Sequence, residues 1–172
     1  ELSGEAIKEK SFSAVDAMKY WYTSDFNCPT VVWGKMYRRE LFNGLRFKKD
    51  RMHEDEFIIH YLFQKAGKVT YISNRLYYYF QRNDSIVGSS FSLKRLDILD
   101  AMQDRLCLFE QLYDDKIVSM QAEHYTDILM ASYISLYEMS DKDDQQMKII
   151  YDKIKNISKK YTLSLKHKIK IF

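Results

Sequence analysis

At 172 residues, 46% of them apolar, the chain is long enough to bury a substantial core and fits one domain, or one domain with a helical extension. Five glycines and a single proline, Pro29, argue against solenoids, long linkers and turn-rich all-β architectures. Acids and bases nearly cancel at a formal charge of +3, which disfavours a nucleic-acid binder.

Residues 4–22 mix apolar and charged positions at helical spacing, broken near Ser11 to Ser13. They read as a short helix followed by a second from Ala14 to Tyr22. Asp25 to Pro29 reads as a turn, because the residue before a proline is pushed away from helix. Thr30 to Trp33 is a short β-branched and aromatic run with the composition of a buried strand. Arg38 to Phe42 reads as one helical turn closed by Asn43-Gly44. Glu54 to Ala66 is the clearest early helix, with acids in its first turn, Phe57, Ile58, Tyr61 and Leu62 on its apolar face and Gly67 at its C-terminal cap. Lys68 to Ser73 alternates as a strand, and Leu76 to Phe80 continues extended.

Beyond Ser89 the pattern is helical. Ser92 is a fitting N-cap for a helix carrying Leu96, Leu99, Met102, Leu106, Phe109 and Leu112 along one stripe. A second helix is expected from about Ile117 to Met139. A third is expected from Asp143 to Ile157, with Met147, Ile150, Ile154 and Ile157 on its inner face. The expected fold is therefore α+β and mostly helical, with a small sheet in residues 1–90, a helical subdomain in 91–158 and a basic tail in 159–172.

The chemistry centres on Glu54-Asp55-Glu56. A carboxylate at a helix start has its orientation fixed by backbone N–H groups, and the helix dipole favours its ionised form. Such a group can serve as a general base, although acids in a first turn are also ordinary helix punctuation. His53 and His60 could share a helix face but have no further ligand at metal spacing. Arg38-Arg39 and Lys48-Lys49 with Arg51 read as a solvated basic face or as phosphate contacts. Tyr77 to Tyr79 read as strand core and rim, with one ring available to pack on a sugar. Cys28 and Cys107 match no zinc or redox spacing, no apolar run approaches the ~20 residues of a membrane span, and no secretory signal is visible. The start at Glu1 reads as mid-domain sequence, so the chain is expected to be a piece of a longer protein.

Four ordered motifs carry a resemblance. The chain reads Trp33-Gly34-Lys35-Met36-Tyr37-Arg38-Arg39-Glu40-Leu41-Phe42, then Glu54-Asp55-Glu56-Phe57. It continues Val69-Thr70-Tyr71-Ile72 and Leu76-Tyr77-Tyr78-Tyr79-Phe80-Gln81-Arg82-Asn83-Asp84-Ser85-Ile86. This series resembles the acceptor-side, C-terminal half of family 2 glycosyltransferases of the GT-A fold that build bacterial capsular and other surface polysaccharides. There the order is Trp-Asn-Lys-Leu-Tyr, Glu-Asp-Glu-Phe, Val-x-Tyr-Ile and Leu-Tyr-Tyr-Tyr-Arg-Gln-Arg-x-Asn-Ser-Ile. The likeness covers residues 1–90 and, more loosely, the helical part.

The resemblance implies an inverting transferase in which Asp55 is the catalytic base and Glu54 its supporting neighbour. Trp33, Gly34 and Lys35 would line the cleft where donor and acceptor meet. Gln81 and Arg82 would lie at the donor diphosphate, where a guanidinium fork can neutralise the leaving group. Gly34, Phe80 and Asp84 depart from the usual Asn, Arg and Asn. Members also carry an Asp-Asp-Gly-Ser-like nucleotide loop and a later Asp-x-Asp that holds magnesium or manganese, and neither is expected anywhere in this chain. The resemblance thus implies a nucleotide-sugar donor with its metal in the full-length enzyme, and a fragment that does not turn over alone.

The implied acceptor is a polysaccharide or lipid-linked saccharide, and the implied location is the cytoplasm at the inner face of a bacterial membrane. Residues 159–172, basic with interleaved apolar positions, suit a peripheral membrane contact or a frayed tail. A truncated sheet edge would favour dimers. The rival reading is a non-catalytic helical module that binds a protein through residues 92–158.

Overall fold

Residues 9–22, 30–74, 76–78, 80, 91–139, 141, 143–164 and 167 are described by a computed structural model of the chain. The fold is α+β and mostly helical. It divides into two units, one formed by Glu1–Lys49 with Glu54–Ser90, the other by Asp50–His53 with Phe91–Phe172.

In the first unit, β1 (Glu9–Ser13) pairs antiparallel with β2 (Lys68–Ile72), Glu9 opposite Ile72 and Ser13 opposite Lys68. The short helix expected before Ser11 is thus a strand where it is described, at Glu9 and Lys10. Five polar-rich residues carry little local preference, and pairing with β2 decides their state. Ser13 ends the strand and caps α1 (Ala14–Trp21), its Oγ accepting the Asp16 N–H at 3.1 Å. α1 buries Ala17, Met18 and Trp21 against α2 (Ile59–Ala66), where Trp21 meets the Phe63 ring edge-on at 5.1 Å. Gly67 closes α2 at φ +65°, as the sequence suggests, and its carbonyl accepts the Ala14 N–H at 3.1 Å.

Three expectations need correction here. Thr30 to Trp33 form bends and turns, half-buried at most, with no partner strand among the described residues. The described part of Leu76 to Phe80 is likewise not a strand and is largely exposed. The helix expected from Glu54 begins only at Ile59, and residues 54–58 are turns. Aspartate competes with helical backbone bonding, and the Asp55 side chain accepts the Glu56 N–H at 3.0 Å while its carbonyl accepts from Ile58 and Ile59. The turn expected over Arg38 to Phe42 is present as a 3₁₀ segment, Arg39–Phe42.

The second unit is built on α3 (Asp97–Leu112), α4 (Asp115–Tyr137) and α5 (Asp144–Lys160). α4 packs on both other helices and buries Ile117, Ala122, Tyr125, Leu129 and Leu136 between them. Every inner position expected on α5 is buried, and the helix runs on past Ile157 to Lys160. Asp114 and Asp143 cap α4 and α5 by accepting the N–H groups of Ile117 and Gln146. Ser92 makes no side-chain cap, because a 3₁₀ turn, Leu93–Leu96, precedes α3. Asp97 instead binds the Arg51 guanidinium at 2.5 Å and the Met52 N–H at 2.9 Å, fastening residues 50–53 to α3. Beyond α5, Tyr161 donates to Glu110 at 2.7 Å and Leu163 is buried. Among the described residues no helix is long and apolar enough to cross a membrane.

Candidate functional site

The first unit gathers three of the four sequence motifs around residues 33–37. Gly34 sits at φ +67°, a left-handed conformation that costs a side-chain-bearing residue about 1–2 kcal/mol. A Cβ there would lie 4.0 Å from the Tyr77 Cβ, so the penalty is backbone strain and not crowding. The turn lays the Trp33 ring on Tyr77, with centroids 4.9 Å apart and planes inclined by 20°. Trp33 remains 37% exposed and Tyr77 52%, so the pair keeps aromatic surface open to solvent.

Lys35 does not project outward. It is half-buried, and its Nζ donates to the Val31 carbonyl one turn back along its own segment. Met36 is fully exposed and Tyr37 half-buried, the in-and-out alternation of extended backbone. The Tyr37 ring meets Phe42 edge-on at 5.7 Å, and Phe42 in turn faces Phe47 at 6.4 Å. Its hydroxyl oxygen is buried and has no hydrogen-bond partner among the described residues. Burial, reinforced by the charge of Asp55, pushes the Tyr37 phenol up to about 12.

Asp55 is half-buried between an exposed Glu54 and a half-buried Glu56. Burial raises its proton affinity above that of an ordinary aspartate, and the charges of Glu56 and Glu54 add to the effect. The N–H groups of Glu56 and of Asp55 itself oppose the shift without reversing it. This overturns the expectation that a helix dipole holds Asp55 ionised, since α2 has no acid in its first turn. Phe57, which follows the triplet, is buried beneath Lys48, whose Nζ lies 4.3 Å from the ring centroid.

The segment from Trp33 to Tyr37 is therefore the meeting point: Trp33 touches the tyrosine motif and Tyr37 feels the acidic one. Gln81 and Arg82, the expected diphosphate contacts, lie outside the described residues. His60 is a core residue of α2, packed beside Tyr61 at 4.3 Å. Among the described residues no three His, Cys, Asp or Glu side chains gather closely enough to hold a metal ion. A literal Asp-x-Asp does occur, at Asp141 to Asp143, contrary to the expectation that the chain lacks one. Asp143, however, caps α5 in the second unit.

Two curated proteins of Streptococcus pneumoniae serotype 4 (strain ATCC BAA-334 / TIGR4) are similar to the chain. Glycosyltransferase GlyG is 32% identical over 85 residues, 49% of this chain and 27% of that protein. Glycosyltransferase GlyA is 27% identical over 114 residues, 64% of this chain and 16% of that protein. No family model and no solved structure matches. The chain spans well under a third of either relative's length.

Both relatives are named glycosyltransferases. Tyr37 is the residue that sequence reasoning passed over. It stands inside the quoted motif, yet nothing in its spacing marks a hydroxyl that folding leaves without a partner.

Proposed function

We propose that this chain is the acceptor-side part of an inverting, nucleotide-sugar-dependent glycosyltransferase of family 2 and the GT-A fold, serving bacterial surface-polysaccharide synthesis. The observation that carries this reading is a half-buried carboxylate with raised proton affinity, Asp55, held by turns beside the segment that bears Trp33. A carboxylate whose proton affinity is raised above that of a solvated aspartate is the stronger proton acceptor of the two.

In the proposed step a hydroxyl of a polysaccharide or lipid-linked acceptor attacks the anomeric carbon of the donor. The new C–O bond forms as the bond to the nucleoside diphosphate breaks, the electron pair leaving with the diphosphate, and the hydroxyl proton passes to Asp55. Glu54 and Glu56 keep the proton affinity of that carboxyl high. The exposed Trp33–Tyr77 pair offers a flat apolar face of the kind on which a sugar ring packs. The resemblance assigns Gln81 and Arg82 to the diphosphate. It places the donor loop and the magnesium or manganese site in sequence outside this chain, so the chain alone is expected to be inactive.

The test is Asp55→Asn in the full-length protein, with donor affinity and transfer measured together. The reading expects transfer to fall about 10²–10⁴-fold with donor binding retained. Wild-type transfer by the variant would remove Asp55 from the role.

A further inference from the structure

Charge is spread unevenly along this chain. Residues 36–49 hold Arg38, Arg39, Arg46, Lys48 and Lys49 against the single acid Glu40, a net +4 where the whole chain carries +3. All five cations are exposed, and so is Lys65 of α2. Ring contacts fold the segment back on itself, Tyr37 meeting Phe42 at 5.7 Å and Phe42 facing Phe47 at 6.4 Å. That row joins the arm bearing Arg38 and Arg39 to the arm bearing Lys48 and Lys49. At the bend the Lys65 amine donates to the Asn43 carbonyl and adds a sixth charge.

Two observations separate this patch from an ordinary solvated face. The first is that its charge is uncompensated. Arg51, the next cation in sequence, is taken up by Asp97 and Asp100, but among the described residues no carboxylate pairs with any of the six. Arg46 donates to the carbonyls of Phe42 and Leu45, and Lys48 lies over the Phe57 ring, partners that leave the full charge in place. The second is that apolar side chains stand out among the cations. Met36 is fully exposed on the same side of extended backbone as Arg38, and Phe47, 45% exposed, lies between Arg46 and Lys48 in sequence. An anionic lipid surface rewards both features at once, since cations gain from its potential and apolar groups leave water. A small anion would use the charges and leave Met36 and Phe47 in solvent.

We propose that residues 36–49, with Lys65, form a docking surface for anionic phospholipid membranes. This surface is separate in sequence from the basic tail at 159–172. It concerns binding and not transfer, so it stands without the reading of Asp55 as the base.

Co-sedimentation of the 172-residue chain with vesicles of phosphatidylcholine alone, and of phosphatidylcholine with phosphatidylglycerol, tests the proposal. Arg38→Gln, Arg39→Gln and Lys49→Gln made together remove three exposed charges, and an unchanged urea midpoint checks that the fold is kept. Each cation near an anionic leaflet contributes about fivefold in affinity, so the triple variant should bind the anionic vesicles about 10²-fold more weakly. Met36→Ser should weaken binding with no change in its salt dependence. A tail variant, Lys166→Gln with Lys168→Gln and Lys170→Gln, should lose far less than the patch variant.

A wild type that does not sediment with anionic vesicles would overturn the proposal, as would a patch variant that binds like wild type. A tail variant that loses as much as the patch variant would move the contact to the tail and overturn it too. Binding abolished by pyrophosphate, but not by sodium chloride of equal ionic strength, would make the patch a phosphate site instead. Equal affinity for a single-stranded oligonucleotide would make it a general polyanion surface. Either result overturns the lipid assignment.

Discussion

Burial of the Tyr37 phenol, reinforced by the charge of the Asp55 carboxylate, pushes its pKa up to about 12. Neither group is satisfied in the way a structural residue usually is. The hydroxyl has no partner among the described residues, and burial and the flanking charges of Glu56 and Glu54 raise the proton affinity of the carboxyl. A fold that keeps both has placed stability second at this point.

That cost has a pH signature. A carboxyl whose proton affinity is raised by folding favours the folded state while protonated. The contribution is complete below its unfolded pKa and is lost as pH rises through the raised folded value. At neutral pH Asp55 therefore works against stability. Asp55→Asn should raise the urea midpoint of the chain at pH 7, and the gap to wild type should close as pH falls below the ordinary carboxylate range.

The aromatic pair is testable separately. Trp33→Ala and Tyr77→Ala, with the double variant, should show a coupling of about 0.5–1.5 kcal/mol in denaturant melts, the usual worth of a stacked pair. Gly34→Ala should cost about 1–2 kcal/mol, because a Cβ is strained at φ +67° though nothing crowds it. A neutral Gly34→Ala would mean that the turn can relax and that the stack does not depend on it.

The second unit makes the opposite pH prediction. Burial alone would raise the Asp97 carboxyl, but the Met52 N–H and the Arg51 guanidinium outweigh it and hold the group below its usual value. A depressed carboxylate stabilises the fold above its unfolded pKa and loses that contribution as pH falls through the folded one. Asp97→Asn should therefore cost about 1 kcal/mol at pH 7, discounted for the exposure of Arg51, and nothing once the medium is acid enough to protonate Asp97. Urea melts at the two pH values check it.

Much of the scaffold was legible because it rests on local rules. The α5 stripe Met147, Ile150, Ile154 and Ile157 is read from periodicity, and Gly67 from the need of a helix end for a left-handed residue. What sequence could not show depends on distant partners. β1 exists because β2 lies beside it, while Thr30 to Trp33 finds no partner strand among the described residues and its turn stacks Trp33 on Tyr77. α2 starts late because Asp55 spends its side chain on the Glu56 N–H. The site divides the same way. Asp55 stands out in its motif, but the direction of its proton affinity was misjudged, since half-burial between two acids is a property of the folded chain.

The most direct measurement is a carboxyl ¹³C NMR titration of the chain with the Asp55 signal assigned through Asp55→Asn. The account predicts a midpoint above the ordinary aspartate range, produced by burial and by Glu56 and Glu54, that falls back toward that range in a Glu54→Gln, Glu56→Gln variant. An Asp55 that titrates at or below the value of a solvated aspartate, unmoved by those substitutions, would contradict the claim that this carboxyl is poised to take a proton.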